Sequence, residues 1–230
     1  LKLLIFDIDG TLTHLDGATR RAFDAAYLRV FGVHAVTDTL KLHGRTDPLI
    51  FRDCFGMSGL TGDWEQAYQT FRSAYLEALP GCISASKKIH LHPGIAELLN
   101  ELDKRRDLAA LALGTGNMEA GARIKIGQFG LNRYFPAGGF GDTHHDRADI
   151  LRDAVRSAET HYNRAFEKSD TWVIGDTIHD IEGGQAVGLR TMGVATGGAF
   201  TRDDLVAAHA DVVFDNLSET KTVIRAFGMD

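Results

Sequence analysis

Residues 3–13 read LLIFDIDGTLT. Four apolar residues run into Asp7 and Asp9, which alternate with Ile8 and are followed by Gly10 and Thr11. In an extended chain, residues two apart project to the same side, so the two carboxylates are expected to be neighbours. Two ionised carboxylates about 4 Å apart repel by ~4 kcal/mol at an effective dielectric of ~20. A strand ending this way therefore calls for a nearby cation, or for a proton on one of the two acids.

Working outward, apolar runs of strand length recur at residues 1–6 (LKLLIF), 108–114 (LAALALG), 171–175 (TWVIG), 189–195 (LRTMGVA) and 210–214 (ADVVF). None alternates with polar residues, as expected of parallel strands covered on both faces. Helical patterns lie between them. Pro93-Gly94 opens one containing Ile95, Leu98, Leu99 and Leu102, and others span 117–129, 149–161, 178–187 and 203–208. This alternation predicts an α/β fold, a doubly wound parallel sheet flanked by helices. Residues 14–85 break the rhythm with helix but no strand. Ala22, Phe23, Ala26, Tyr27, Val30 and Phe31 form one apolar face, stopped at Gly32. Tyr68, Phe71, Tyr75, Leu76 and Leu79 form another, which Pro80-Gly81 is expected to end. So long a helical stretch exceeds an ordinary crossover. It is read as a helical domain inserted after the first strand, with residues 1–13 and 86–230 forming the α/β core.

The chain has 230 residues, 44% of them hydrophobic and 24% charged, with a net charge of −6. That balance, without any basic tract, argues against a sequence-independent grip on nucleic acid. No apolar run approaches the length of a membrane span, and the sequence opens directly on a strand rather than on a targeting segment. Cys54 and Cys82 form no CxxC pair and read as reduced thiols. A soluble cytoplasmic protein is the expectation.

Ligands of open parallel sheets sit beyond the carboxyl ends of the strands. The first strand is followed there by Asp7-Ile8-Asp9-Gly10-Thr11, and the second by Gly114-Thr115-Gly116-Asn117. The third is followed by Gly175-Asp176-Thr177-Ile178-His179-Asp180, and Arg147 lies in the connection between the latter two. Singly, each has a bland explanation: a solvated strand end, a helix N-cap, acids against a helix dipole, a surface arginine. Together, in this order, FDIDGTL, GTGN, an intervening basic residue and GDTIHD resemble the four motifs of the haloacid dehalogenase-like (HAD) hydrolase superfamily. The resemblance spans essentially the whole chain. Its arrangement, a Rossmann-like core with a helical cap after the first motif, is similar to the phosphoglycolate phosphatase and β-phosphoglucomutase branch.

That resemblance implies a chemistry the residues are suited to perform. Asp7 would be the nucleophile that forms an aspartyl-phosphate. Asp9 would protonate the leaving alkoxide and then activate water. A Mg²⁺ cofactor would sit among Asp7, the Asp9 carbonyl and Asp176, with Asp180 reaching it through water. The Thr115 hydroxyl, the N–H groups of Gly116, Asn117 and Gly10, and the Arg147 guanidinium would hold the phosphate. Its partner would be a small phosphorylated metabolite.

Several positions depart from the family pattern. The third motif usually carries lysine, often before proline, where this chain has Arg147-Ala148. Arginine keeps the charge and adds bidentate geometry. Lys168, the alternative, is expected at the wrong end of its strand. Asp9 favours phosphoryl transfer over dehalogenation, because a halide leaves without a proton. The mutases carry a cap histidine ten residues after the second Asp, where this chain has Thr19, and a cap arginine where it has Asp47. His14 is the nearest substitute for that histidine. A phosphatase is therefore expected, with a phosphosugar mutase or a non-catalytic phosphate-binding member as alternatives. Lys41 and Arg45, in KLHGRTD, are candidates to meet the substrate's leaving group, whereas His144-His145 reads as a surface loop and His179 as facing solvent or the cap.

Overall fold

The structure, a computed structural model, describes residues 1–40, 42–142 and 144–229. Lys41 lies outside the described residues. Six parallel strands form the central sheet: β1 (Lys2–Phe6), β4 (Ala109–Thr115), β5 (Ala137–Phe140), β6 (Thr171–Gly175), β7 (Arg190–Val194) and β8 (Val212–Phe214). Their spatial order is β5-β4-β1-β6-β7-β8. β1 pairs with β4 on one side and β6 on the other, so the chain reverses its winding direction beside β1. That switch point places a crevice beyond the carboxyl ends of these three strands.

The strands are apolar throughout because both faces are covered. Leu4, Phe6, Leu111, Leu113, Trp172 and Ile174 pack into one cluster under α4 (Ile95–Asp103) and α9 (Thr220–Ala226). Leu3, Ile5, Ala110, Ala112 and Val173 face the opposite cluster under α6 (Arg147–Tyr162). The short α5 (Glu119–Gly127), α7 (Ile178–Val187) and α8 (Arg202–Ala207) complete the flanks. β5 is a correction to the expected strand set. Its Gly138 and Gly139 hide it as a turn, but they are required there, since a Cβ on Gly139 would lie 1.9 Å from the Ile150 carbonyl of α6. Two glycines thus let the helix lie against the strand's backbone.

Between β1 and β4 the chain leaves through β2 (Thr13–His14) and returns through β3 (His90–Leu91), which pair antiparallel. The excursion contains α1 (Ala18–Phe31), α2 (Asp47–Met57) and α3 (Trp64–Ser84), with a hydrophobic cluster of its own. Phe23, Phe51 and Phe71, one from each helix, meet at ring centroid distances of 4.5 and 4.8 Å through Phe71. Gly32 closes α1 at φ 72°, donating its N–H to the Leu28 carbonyl. The helix α3 does not stop at Pro80 as expected but runs on to Ser84. Pro80 is exposed, so water can serve the carbonyl whose partner N–H it removes.

Candidate active site

Asp7 continues the β1 ladder by donating its N–H to the Ile174 carbonyl, 2.9 Å away, and its side chain is only 8% exposed. The chain then turns tightly, with Leu12 and Thr13 N–H groups returning to the Ile8 carbonyl. Gly10 makes this turn at φ +88°, and a Cβ there would lie 2.4 Å from Asp176 Oδ2. Its N–H is committed to the Thr13 carbonyl at 3.1 Å, so the expected role as a phosphate donor is corrected. What Gly10 supplies is room for the Asp176 carboxylate.

Asp176 follows β6, with Oδ1 accepting from the Thr11 hydroxyl at 3.0 Å. Asp180 stands one turn along and caps its own helix, its Oδ2 accepting from the N–H and hydroxyl of Thr177. One oxygen from each of Asp7, Asp176 and Asp180 lies within 4.8 Å of the others, and all three residues are buried. Among the described residues, Asp176 Oδ2 and Asp180 Oδ1 have no hydrogen-bond partner. Burial, then Asp180, raises the Asp7 carboxyl to about 7 against the pull of Arg147. Burial, Asp7 and Asp180 likewise push Asp176 well above its ordinary value. Orphaned oxygens on mutually repelling buried acids fit a hard divalent cation bound by oxygen.

Arg147 is the first residue of α6, where Asp146 caps the helix through the Ala148 N–H. Its Nη1 donates to the Gly114 carbonyl at 3.1 Å and lies 3.5 Å from Asp7 Oδ1 and 3.4 Å from Asp180 Oδ1. Burial opposes its charge, but Asp180, Asp7 and Asp176 outweigh it and raise the arginine's pKa. Gly183 leaves the stem space, since a Cβ there would meet Arg147 Cγ at 2.5 Å. Lys168 sits before β6, at the opposite end from Asp176.

Thr115 ends β4 fully buried beside Asp7, and its hydroxyl pulls that acid's pKa down. Gly116 and Asn117 precede α5, which starts only at Glu119 rather than at Asn117. The Asn117 amide donates to Asp9 Oδ2 at 2.8 Å and to Thr115 Oγ1 at 2.7 Å. Asp9 itself is 44% exposed and accepts at the same oxygen from Lys125 Nζ, 2.7 Å away. Lys125 is a residue the sequence reasoning missed. Its signal was a lysine on the face of α5 that also buries Gly121, Ala122 and Ile126.

A cavity of ≈ 330 Å³ opens above these groups, lined by Asp7, Asp9, Thr115, Gly116, Asn117 and Arg147. The helical excursion closes its far side. Arg45 lines it too, although its guanidinium is engaged by Asp53 at 2.5 Å. Asp47, the second missed residue, fastens the helices to the crevice. Its N–H donates to the Gly116 carbonyl and its Oδ2 accepts from the Met118 N–H, both at 2.9 Å. Gly44 rests on the His179 ring, which therefore faces this loop, and the Gly44 carbonyl accepts from Arg147 Nη2 at 3.4 Å. His144 pairs with Asp153 at 2.6 Å, away from the acidic cluster.

The profile of the haloacid dehalogenase-like hydrolases matches residues 1–188. The chain belongs to this family. It is 27% identical over 231 residues to the tyrosine-protein kinase PtkA of Mycobacterium tuberculosis, an alignment covering 99% of this chain and 73% of that protein. The probable phosphatase IndB of Dickeya dadantii is 28% identical over 237 residues, covering 94% of this chain and 90% of IndB. The crystal structure of a hydrolase from Pseudomonas syringae superposes with a TM-score of 0.72 at 20% identity, covering 98% and 99% of the two chains. Among the described residues, no helix of this HAD-like hydrolase is long and apolar enough to cross a membrane.

Proposed function

We propose that this HAD-like hydrolase is a Mg²⁺-dependent phosphatase that hydrolyses a small phosphorylated metabolite, of phosphoglycolate or sugar-phosphate type, through an aspartyl-phosphate. The observation that carries this is the pairing of a buried Asp7 with an exposed Asp9 in one small cavity. Asp7 Oδ attacks phosphorus while the P–O ester bond breaks, and the leaving alkoxide takes a proton from Asp9. Water then attacks phosphorus, gives its proton to Asp9, and the Asp7–phosphorus bond breaks to release inorganic phosphate. Thr115, the Gly116 and Asn117 N–H groups and Arg147 hold the phosphoryl oxygens, and Arg147 spreads positive charge toward Asp7. Gly10 is not among these donors.

Asp7, the Asp9 carbonyl, Asp176 and Asp180 would hold Mg²⁺, which supplies charge neutralisation so that an anionic nucleophile can meet an anionic ester. Residues 14–85 serve as the cap and residues 1–13 with 86–230 as the catalytic core. Arg45 and Asp47, both within that cap, line the cavity and would face the substrate. Thr19 lines the cavity at the position where the mutases carry histidine, which supports hydrolysis; His14, the nearest substitute base, lines the same cavity but stacks on the His90 ring at 4.9 Å. The free thiols of Cys54 and Cys82 suit a reducing cytoplasm.

Phosphate release from a panel of alkyl and aryl phosphomonoesters, with Mg²⁺ or with chelator, tests this directly. Turnover by the wild type, abolished in Asp7→Asn and by chelation, is the expected result. A wild type inert across the panel overturns the reading. Label retained on the protein from a ³²P ester, without phosphate release, would point instead to an acceptor other than water.

A further inference from the structure

Lys125 is 1% exposed, on a helix face that otherwise packs into the core. A buried ammonium costs several kcal/mol to desolvate, and replacing a buried ion pair by apolar side chains is often neutral or stabilising. Packing therefore gives no reason for a lysine here. Its bonds suggest another reason. Nζ donates to Asp9 Oδ2 and to Asn117 Oδ1, while the Asn117 amide donates to that same Asp9 Oδ2. Two donors thus converge on one oxygen of a carboxylate that is otherwise half in solvent. Among the described residues, Asp9 Oδ1 has no hydrogen-bond partner and is left for whatever enters the cavity. An unanchored Asp side chain exchanges rotamers within nanoseconds, whereas proton transfer needs the carboxyl within hydrogen-bond reach of the reacting oxygen.

We propose that Lys125 is a positioning residue for Asp9: together with Asn117 it pins Oδ2, so that Oδ1 is presented to the ester oxygen and then to the attacking water. The inference rests on the reading of Asp9 as acid and base. Lys125 acts through Asp9 and touches Asn117 only at its side-chain oxygen, not at the backbone N–H that faces phosphate, so its loss falls more on proton-dependent steps than on binding. Esters of poorly acidic alcohols depend on Asp9 for their departure. Aryl esters with acidic phenols depend on it much less.

The test compares wild type, Lys125→Met and Lys125→Arg, each checked for an intact thermal transition. For the methionine variant, kcat/KM for an alkyl phosphate, which reports transfer to Asp7, is expected to fall by about 10- to 100-fold. The fall for an aryl phosphate with an acidic phenol should be several-fold smaller, and the arginine variant should recover part of the difference. An equal fall for both esters overturns the proposal. A readout independent of turnover keeps it falsifiable if the protein proves not to be a phosphatase. Three-bond couplings from the Asp9 carboxyl carbon to its backbone nitrogen and carbonyl carbon report its side-chain rotamer. They should show one rotamer in the wild type and averaging in Lys125→Met. A single unchanged rotamer in Lys125→Met overturns the positioning role whatever the activity.

Discussion

Substituting Asp176 by Asn should make the metal-free protein more stable while destroying its response to Mg²⁺. Asp7, Asp176 and Asp180 each place a carboxylate oxygen within 4.8 Å of the others in a buried site. At that separation and an effective dielectric of about 20, a fully ionised pair repels by about 3.5 kcal/mol. Asp176 takes part in two such pairs. The rise of Asp7 to about 7 means that a retained proton already relieves one of them near neutrality, leaving about one pair to be removed. Against this, the Asn amide would occupy the place of Oδ2, which has no hydrogen-bond partner among the described residues, at a cost of about 1–3 kcal/mol. The net is a gain of about 0.5–2.5 kcal/mol, with a rise in Tm of about 2–4 °C for each kcal/mol in a chain of this size. In the wild type, by contrast, Mg²⁺ at a hundred times its Kd should add about 2.7 kcal/mol. Thermal unfolding of both proteins, in chelator and across a Mg²⁺ titration, measures all four quantities. A metal-free variant less stable than wild type, with the Mg²⁺ response intact, would refute the account of this acidic cluster.

Three further perturbations follow from the packing and the charges. Gly139→Ala should cost about 3 kcal/mol or more, because the new methyl collides with the α6 backbone, and it should depress turnover by displacing Arg147. Gly56→Ala, in α2 with open space at its Cβ, should instead stabilise by about 0.5–1 kcal/mol, and urea unfolding of the pair separates steric cost from helix propensity. His92 is held near 4, below its ordinary 6.5, by burial and by the neighbouring His90 and His14. The unfolded chain therefore takes up this proton first. The stability is full above pH 6.5, is lost as pH falls toward 4, and levels off below. The full shift corresponds to about 3.4 kcal/mol, and solvent screening at the exposed His14 and His90 reduces it to about 1–2 kcal/mol. Urea midpoints at pH 7 and 4.5 should converge for His92→Gln, and an unchanged pH dependence in that variant would remove His92 from the account.

The sequence disclosed those parts of the site that sit where secondary structure ends. β1, β4 and β6 are largely apolar runs, so Asp7 and Asp176 stand out as the first polar residues past β1 and β6 and Thr115 as the polar residue that ends β4, and the sheet order brings them together. Arg147 is legible only as the basic residue of the connection that the motif order picks out, and the structure adds that it opens α6 beside that edge. What escaped notice lies inside elements or across domains. β5 was lost because Gly138 and Gly139, demanded by the α6 backbone, carry the composition of a turn. Gly10 suggests a phosphate donor because a residue without a side chain permits close approach, whereas the tight turn commits its N–H to Thr13 and uses the missing side chain to make room for Asp176. Asp47 stood out only as a residue that is not arginine. Its hydrogen bonds to Gly116 and Met118 join segments about seventy residues apart, and no local pattern encodes them.

Lys125 and Asp47 also bear on each other. Burial raises the Asp47 carboxyl to about 6, and the Lys125 ammonium is the largest influence opposing that rise. One buried cation therefore favours the charged form of Asp47 on the helical side and bonds Asp9 on the core side. If the helices swing away, Asp47 leaves, while Lys125 keeps its bond to Asp9. Closure consequently brings a second carboxylate into the field of an ammonium already in use, and the two acids oppose each other across it. A bound phosphomonoester whose leaving group offers a hydroxyl or an ammonium toward Asp47 would relieve that opposition. On the proposed phosphatase reading, a polar leaving group would then favour closure of the site more than a purely apolar one.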